Sequence, residues 1–534
     1  ALGLFLVAML CKTTMVMFPV VILLYAWWKR GRIGWKDVRA GAPFFLVSLA
    51  LGLTSVWQQD HVAMPQSIVP LGGIFARLAR AGLSLSFYFS KCFLPVELMP
   101  IYPRWVVDPP ALWQFLPWPV LGGALYWLWT RRQGWGRHAL LGGGFFLLFL
   151  APFLGFSAGS YMAFTWVMDH FLYIPIIGLI GLVVAALEQV KKQLPASFRS
   201  CGIAGVTMIL ALLAFGSRSY AKMFFNSETL WTYELRHNPE ASPAYNNLGG
   251  TLLQIGRTTE AINLFEQVSR IQPDSATGYY NLGNALQKAG RFSEAIEPLE
   301  QSLRINPGSA AAHNCLGDVL FQTGRAPEAI GQYEQALQID PNDAGSHYNL
   351  GSLLQQSGRL PEAIEQFEEA LRIKSDYADA HNNLGMVLFQ TGQASNAAGQ
   401  FALALQLKPD DAGFHNNLGL ALLQTGQGSN AIGQFQQALQ IKPDYVEASY
   451  NLANALLQAA RIPEAIEQYE KTLQLKPDYA EAHNNLGAAL LQAGRRSEAE
   501  AQFQEALRIR PDYPDARNNL AHLQAFQKTP PAKN

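Results

Sequence analysis

A leucine returns every 34 residues over the second half of the chain, at 248, 282, 316, 350, 384, 418, 452, 486 and 520. So strict a period leaves few folds open, because each period must be one small unit that buries its apolar face against copies of itself. The slots around each leucine describe that unit. A Gly or Ala follows it, from Gly249 to Ala521, and a Gly comes eight residues after it at 256, 290, 324, 358, 392, 426 and 494, with Ala460 the single departure. An Ala recurs at 261, 295, 329, 363, 397, 431, 465 and 499, and an aromatic stands four residues beyond most of them (Phe265, Tyr333, Phe367, Phe401, Phe435, Tyr469, Phe503). Pro273, Pro307, Pro341, Pro409, Pro443, Pro477 and Pro511 close nearly every period. Small residues let a first helix approach a second, the aromatic fills the gap between turns, and Gly and Pro end the two helices.

A 34-residue helix–turn–helix with these slots is the tetratricopeptide (TPR) signature. Eight repeats are expected over 242–513, with a capping helix at 514–527 and a disordered tail at 528–534. Upstream, Trp231 and Pro239 sit one period before Phe265 and Pro273, so 220–241 reads as a half-repeat and a stiff connector.

The first 219 residues obey a different rule. Apolar stretches lie near 14–28, 41–57, 111–130, 139–156, 172–188 and 201–217, after a shorter one at 1–11. Their lengths approach what a hydrocarbon core of ~30 Å asks of a helix, and Trp27, Trp28, Trp57, Trp113, Trp129 and Trp135 stand at or near their ends, as an interfacial belt requires. The net charge of zero hides an asymmetry: 17 basic and 6 acidic residues in 1–219, against 23 and 34 in the remainder. Basic residues gather in three links: Lys29, Arg30, Arg32, Lys36 and Arg39; Arg131, Arg132 and Arg137; Lys191, Lys192 and Arg199. By the positive-inside rule these face the cytoplasm, so the chain after Ser217 emerges on the far side. Residues 74–95 are apolar but place Arg77, Arg80, Ser84, Tyr88 and Lys91 on one helical face; an amphipathic helix lying in the outer interface is expected there, the alternative being a seventh span. The expected fold is therefore all-α: a polytopic transmembrane helix bundle followed by a TPR right-handed superhelical solenoid. The soluble half is acidic and lacks a basic stripe, so no nucleic-acid partner is expected. Four scattered cysteines without CxxC spacing indicate neither a disulfide framework nor a zinc site.

Two further columns run through the repeats. Asn precedes the repeat leucine at 247, 281, 349, 383, 417, 451, 485 and 519, with Cys315 in the remaining place. A primary amide offers a donor and an acceptor side by side, the pair an extended backbone presents in return. The column is a candidate ladder for protein or peptide clients, or else a device that stacks one repeat on the next. His313, His347, His381, His415 and His483 form the second column. One repeat apart is on the order of 10 Å, too far to share an ion that needs ligands at ~2 Å, so a packing slot between repeats is expected and no metal.

The Asn column resembles the repeat arm of the cytosolic O-linked N-acetylglucosamine transferases, which hold protein substrates on a similar ladder but carry a catalytic domain after the repeats, where this chain ends. The arrangement as a whole, with CKTTMVMFPVVILLYAWW, KCFLPVELMPIYP and MDHFLYIP, resembles the transmembrane-and-TPR protein O-mannosyltransferases and their bacterial relatives in the GT-C glycosyltransferase superfamily. That resemblance implies sugar transfer, to Ser or Thr of proteins held by the repeats, from a polyprenyl-phosphate-linked sugar. In that family the third stretch reads Asp-Arg-Tyr, then Tyr and Pro; Asp169, Tyr173 and Pro175 match, while His170 and Phe171 depart. Lys12, Asp169, His170 and Tyr173 are the donor candidates so implied. The family's catalytic acid lies in a first outward loop that would precede Ala1, so a truncated N-terminus without that acid is expected. The competing expectation is a membrane-anchored TPR scaffold without catalysis. Either places the repeats beyond the membrane, in a bacterial periplasm or a secretory lumen.

Overall fold

In a computed structural model, residues 2–11, 13–58, 72–95, 98–99, 101–154, 167–193 and 195–528 are described. They form helices and turns only, and the chain divides into two compact units, 1–281 and 282–534. The division falls inside a repeat helix. In an array built by nearest-neighbour packing no point is a privileged boundary.

The first unit contains α1 (Leu2–Cys11), α2 (Phe18–Arg30), α3 (Trp35–Gln58), α4 (Ile74–Phe93), α5 (Pro117–Thr130), α6 (Gly136–Leu150), α7 (Ile176–Gln193), α8 (Ala196–Ala221), the connector α9 (Ser227–His237), and the first repeat pair, α10 (Ser242–Gln254) and α11 (Thr258–Ile271). Three of the described helical stretches are long and apolar enough to cross a bilayer: Trp35–Thr54, Gly136–Phe153 and Cys201–Phe224. They coincide with three of the six expected spans. At 13 and 14 residues, α2 and α5 reach only about 20 Å; Gly31 in the left-handed region (φ 75°) stops the first of them. The last two turns of α7 carry Glu188, Lys191 and Lys192. Apolar side chains of α7 and α8, among them Val184, Leu210, Leu212 and Phe215, are open to the surroundings.

The basic links meet at one end of this unit. Trp27 stacks on Trp129 with ring centroids 5.7 Å apart, Trp28 Nε1 donates to His138 Nδ1 at 3.1 Å, and Arg137 donates to the Trp27 carbonyl at 3.3 Å. Arg131 lies over the Trp127 ring at 4.8 Å. α7 runs antiparallel to α6: Gly142 abuts Leu182 and the Gly178 carbonyl, and Gly178 abuts Phe145. That direction carries Lys191 and Lys192 toward the same end.

The orientation of α4 corrects the sequence expectation. Three of the five stripe residues turn inward: Arg80 is 1% exposed, and Ser84 and Tyr88 are fully buried, while Arg77 stays exposed and Lys91 half-buried. Tyr88 belongs to the interior formed with Ala81, Leu85, Tyr102, Phe146, Leu150 and Val167. Ile74, Phe75, Phe89 and Phe93 are exposed, together with Arg77, Ser86 and Ser90. The 3.6-residue spacing was legible, but a period alone does not say which face turns toward the rest of the protein.

The connector is anchored by polar contacts. Ile101 N–H donates to Glu234 Oε2 at 3.4 Å, and Asn238 Nδ2 donates to the Ile101 carbonyl at 3.1 Å. Glu234 is fully buried, and burial pushes its carboxyl up to about 7, against the lowering effect of the Ile101 and Asn238 bonds.

Helix α12 (Ala276–Lys288) contains the division. The second unit holds α13 (Phe292–Ile305), α14 (Ala310–Gln322), α15 (Ala326–Ile339), α16 (Ala344–Gln356), α17 (Leu360–Ile373), α18 (Ala378–Gln390), α19 (Ala394–Leu407), α20 (Ala412–Gln424), α21 (Gly428–Ile441), α22 (Val446–Gln458), α23 (Ile462–Leu475), α24 (Ala480–Gln492), α25 (Arg496–Ile509) and α26 (Pro514–Lys528). The helices of a pair touch where the sequence placed its small residues. A methyl group on Gly419 would lie 2.6 Å from Cε1 of Phe435, and one on Gly487 2.6 Å from Cε1 of Phe503; both rings are fully buried. Burying one such ring contributes about 1.5–3 kcal/mol. Between the helices of each pair the chain turns through the left-handed region, with Gly426 at φ 79° and Gly494 at φ 78°. Ala460 holds the same turn at φ 57°, where a Cβ costs roughly 1–2 kcal/mol.

Two expectations follow from these local features. Ala460→Gly raises stability by ~0.5–1 kcal/mol, the strain relieved exceeding the added chain entropy; thermal unfolding of the full chain measures it, and a lower midpoint contradicts the strain. For Glu234 the folded carboxyl binds its proton more tightly than the unfolded one, so its contribution is complete below about pH 4 and lost as pH rises through about 7. Glu234→Gln removes that loss, on the order of 1–3 kcal/mol. Unfolding midpoints at pH 5 and pH 8 compare the two proteins, and an equal pH dependence refutes the assignment.

Candidate functional site

The Asn column lies along the first helix of each pair, half-buried except for the exposed Asn247. Its members reach back to the residue 35 positions earlier. Nδ2 of Asn417, Asn451 and Asn519 donates to Oδ1 of Asn382, Asn416 and Asn484, each at 2.9 Å. Asn383 and Asn485 donate to the hydroxyls of Tyr348 (3.2 Å) and Tyr450 (2.9 Å), and within the first unit Asn281 donates to Asn246 at 3.0 Å. Some bonds run on: Asn484 Nδ2 donates to Asn485 Oδ1 at 3.1 Å, so that Asn519, Asn484, Asn485 and Tyr450 form one chain. Asn417, Asn451 and Asn519 therefore stack repeats through one N–H each, while Asn383 and Asn485 donate a second time, to Ser352 at 3.4 Å and to Asn454 at 3.0 Å. In Asn417, Asn451 and Asn519 the second N–H and the carbonyl oxygen remain among the described residues; a client could meet both.

Sequence reasoning missed the partner column immediately before it, which is filled by Asn or Tyr (Asn382, Asn416, Tyr450, Asn484). It also missed a link to the second helix. Where the buried aromatic is Tyr, a polar residue stands 15 positions earlier to receive its hydroxyl: Tyr333 donates to Asp318 and Tyr469 to Asn454, each at 2.5 Å. Asn349 departs from the 35-residue rule and donates to Asp318 at 3.2 Å. Cys315, the break in the column, donates to Gln287 Oε1 at 3.0 Å. Burial, helped by Asp318, pushes its thiol up to about 12, so it remains protonated.

Each column His braces its own helix pair. Nδ1 of His313, His347, His381, His415 and His483 lies 2.6–2.7 Å from Oε1 of Gln332, Gln366, Gln400, Gln434 and Gln502. Nε2 lies within 3.3 Å of the carbonyl of Pro307, Pro341, Ser375, Pro409 or Pro477 in the preceding turn. Both ring nitrogens are thus engaged by structure. Among the described residues no group of three or more His, Cys, Asp or Glu side chains could hold a metal ion.

The donor candidates of the first unit are only partly visible. Lys12 lies outside the described residues. Asp169 and His170 open a short 3₁₀ turn, Asp169–Leu172, whose first two side chains lie outside the described part, and Tyr173 follows with 67% of its surface exposed. Just ahead of this turn the Met168 N–H donates to the hydroxyl of buried Tyr88 at 3.0 Å, and Phe171 stacks on Phe153 at 4.0 Å.

Family models described as tetratricopeptide repeat match residues 240–307, 280–344, 332–365 and 450–514, and one described as TPR repeat matches 353–392 and 419–459. No curated protein matches. Among solved structures, YrrB, described as a TPR protein with an unusual peptide-binding site, is 24% identical over 35% of this chain and 96% of its own, with a TM-score of 0.32. MamA is 25% identical over 30% of this chain and 95% of its own, with a TM-score of 0.29. MamA from Desulfovibrio magneticus RS-1 is 23% identical over 32% and 95%, with a TM-score of 0.30. By its repeats, this chain is a tetratricopeptide-repeat protein.

Proposed function

We propose that this is a membrane-anchored protein whose repeat array holds an extended polypeptide along its Asn column, on the non-cytoplasmic side. The observation that carries the binding half is the unused hydrogen-bonding capacity of Asn417, Asn451 and Asn519: each amide is fixed by the neighbouring repeat through one N–H, while donor and acceptor groups remain. A side chain already held in place loses less freedom when a client binds. Backbone recognition of this kind is indifferent to client sequence.

The anchor is supported by two features of the first unit. The most apolar window of its stretch Cys201–Phe224 has no buried residue, and α4 buries Arg80, Ser84 and Tyr88 while exposing Ile74, Phe75, Phe89 and Phe93. A polytopic bundle extends this reading through the shorter helices α2 and α5 and through α7. The gathering of basic links at one end supports the orientation, with the repeats in a bacterial periplasm or a secretory lumen.

The catalytic reading, sugar transfer from a polyprenyl-phosphate donor with Lys12, Asp169, His170 and Tyr173 at the donor, rests on sequence resemblance alone. A sugar-transfer assay on the longest available form of the protein tests it. The geometry favours the holding function.

A photo-crosslinking residue at Asn417 or Asn451 is expected to capture a carboxymethylated, unfolded polypeptide, and one at Gln436, exposed on the second helix of the pair, is not. Equal capture at all three positions contradicts the groove.

A further inference from the structure

A cleft of about 770 Å³ opens in the first unit beside the end of α8, where the segment around Pro95 and Leu98 meets the connector α9. Tyr220, Lys222, Thr229, Thr232, Tyr233 and Arg236 supply its polar wall. The volume lies in the range that takes a small molecule or a lipid headgroup. Among its described lining residues the one carboxylate, Glu228, is bound by Arg257 at 2.7 Å. Lys222 and Arg236 have no carboxylate partner among the described residues.

The position of the cleft narrows the ligand. The apolar stretch Cys201–Phe224 ends at the cleft, and Phe224 and Phe225, 54% and 85% exposed, stand beside it. Aromatic and basic side chains at the end of an apolar helix mark the level of the headgroups. Two cations and several hydroxyls on one lining suit the tetrahedral oxygens of a phosphate, which a bilayer presents at that depth.

We propose that this cleft binds the phosphate headgroup of one anionic lipid, fixing the connector against the membrane surface. The proposal rests on the membrane reading above. A lipid held here ties the repeat array to the bilayer through Lys222 on the α8 side and Arg236 on α9, beside the polar clasp that Glu234 and Asn238 make with Ile101.

Native mass spectrometry of the detergent-solubilised full chain with phosphatidylglycerol, and separately with phosphatidylcholine, tests the site. One phosphatidylglycerol per chain is expected, with the double variant Lys222→Gln, Arg236→Gln binding it about tenfold more weakly as two charge-assisted contacts are lost. Both residues are exposed, so the variant should float with vesicles as the parent does. Undiminished phosphatidylglycerol binding by the variant, or equal binding of phosphatidylcholine by the parent, overturns the site while leaving the membrane anchor intact. Displacement of the lipid by millimolar inorganic phosphate assigns the cleft to a free anion and overturns the lipid. If the parent chain does not float with vesicles, the membrane reading fails and this one with it.

Discussion

Everything in the repeat array depends on one contact, the approach of the first helix of a pair to the second where a residue with little or no side chain lies against a buried ring or, at Gly283, against buried Leu299. Gly419 on Phe435 and Gly487 on Phe503 leave no room for a methyl group in their present packing. Repeat seven replaces the pair with Ala453 and Tyr469, both fully buried, so the slot tolerates one methyl when its surroundings adjust. With the pair closed to that distance, the His–Gln brace can span from one helix to the other, and Asn417, Asn451 and Asn519 lie within reach of the residue 35 positions before them. The interior that stabilises the repeats and the column offered to a client are thus products of the same close packing.

The two kinds of helix in this chain differ in which side chains they shelter. In the repeats, the ring, leucine and alanine slots are inside and Arg–Glu pairs such as Arg257–Glu260 and Arg291–Glu294 are outside. Such exposed pairs contribute little to stability, and in two repeats Gln393–Asn396 and Gln427–Asn430 hold the same corner without charge. On α4, Arg80, Ser84 and Tyr88 are inside alongside Ala76, Ala79, Ala81 and Leu85, while Phe75, Phe89 and Phe93 are outside.

What was legible in the sequence followed from how local the determining physics is. The repeat helices fall where the 34-residue period placed them, because Gly and Pro end helices by backbone chemistry that does not depend on distant residues. The His column, expected as a packing slot between repeats, makes hydrogen bonds that tie a helix pair to the preceding turn. The facing of α4 was not legible, since a helical period gives a stripe without saying which side meets protein. The Asn column was visible as a pattern, but its hydrogen bonds to Asn382, Asn416 and Asn484 require knowing how one repeat seats on the next. Glu234 and Asn238 were invisible for a related reason: their partner, Ile101, is more than a hundred residues away.

The central claim is that an amide-lined repeat array is carried beyond a lipid bilayer by an apolar first half. Protease added to sealed inner-membrane vesicles of known orientation tests it most directly. In right-side-out vesicles the account predicts loss of the 282–534 segment with the first half retained, and in inverted vesicles protection of that segment until detergent is added. Digestion of the repeats in intact inverted vesicles, or release of the whole chain by alkaline carbonate, would contradict it.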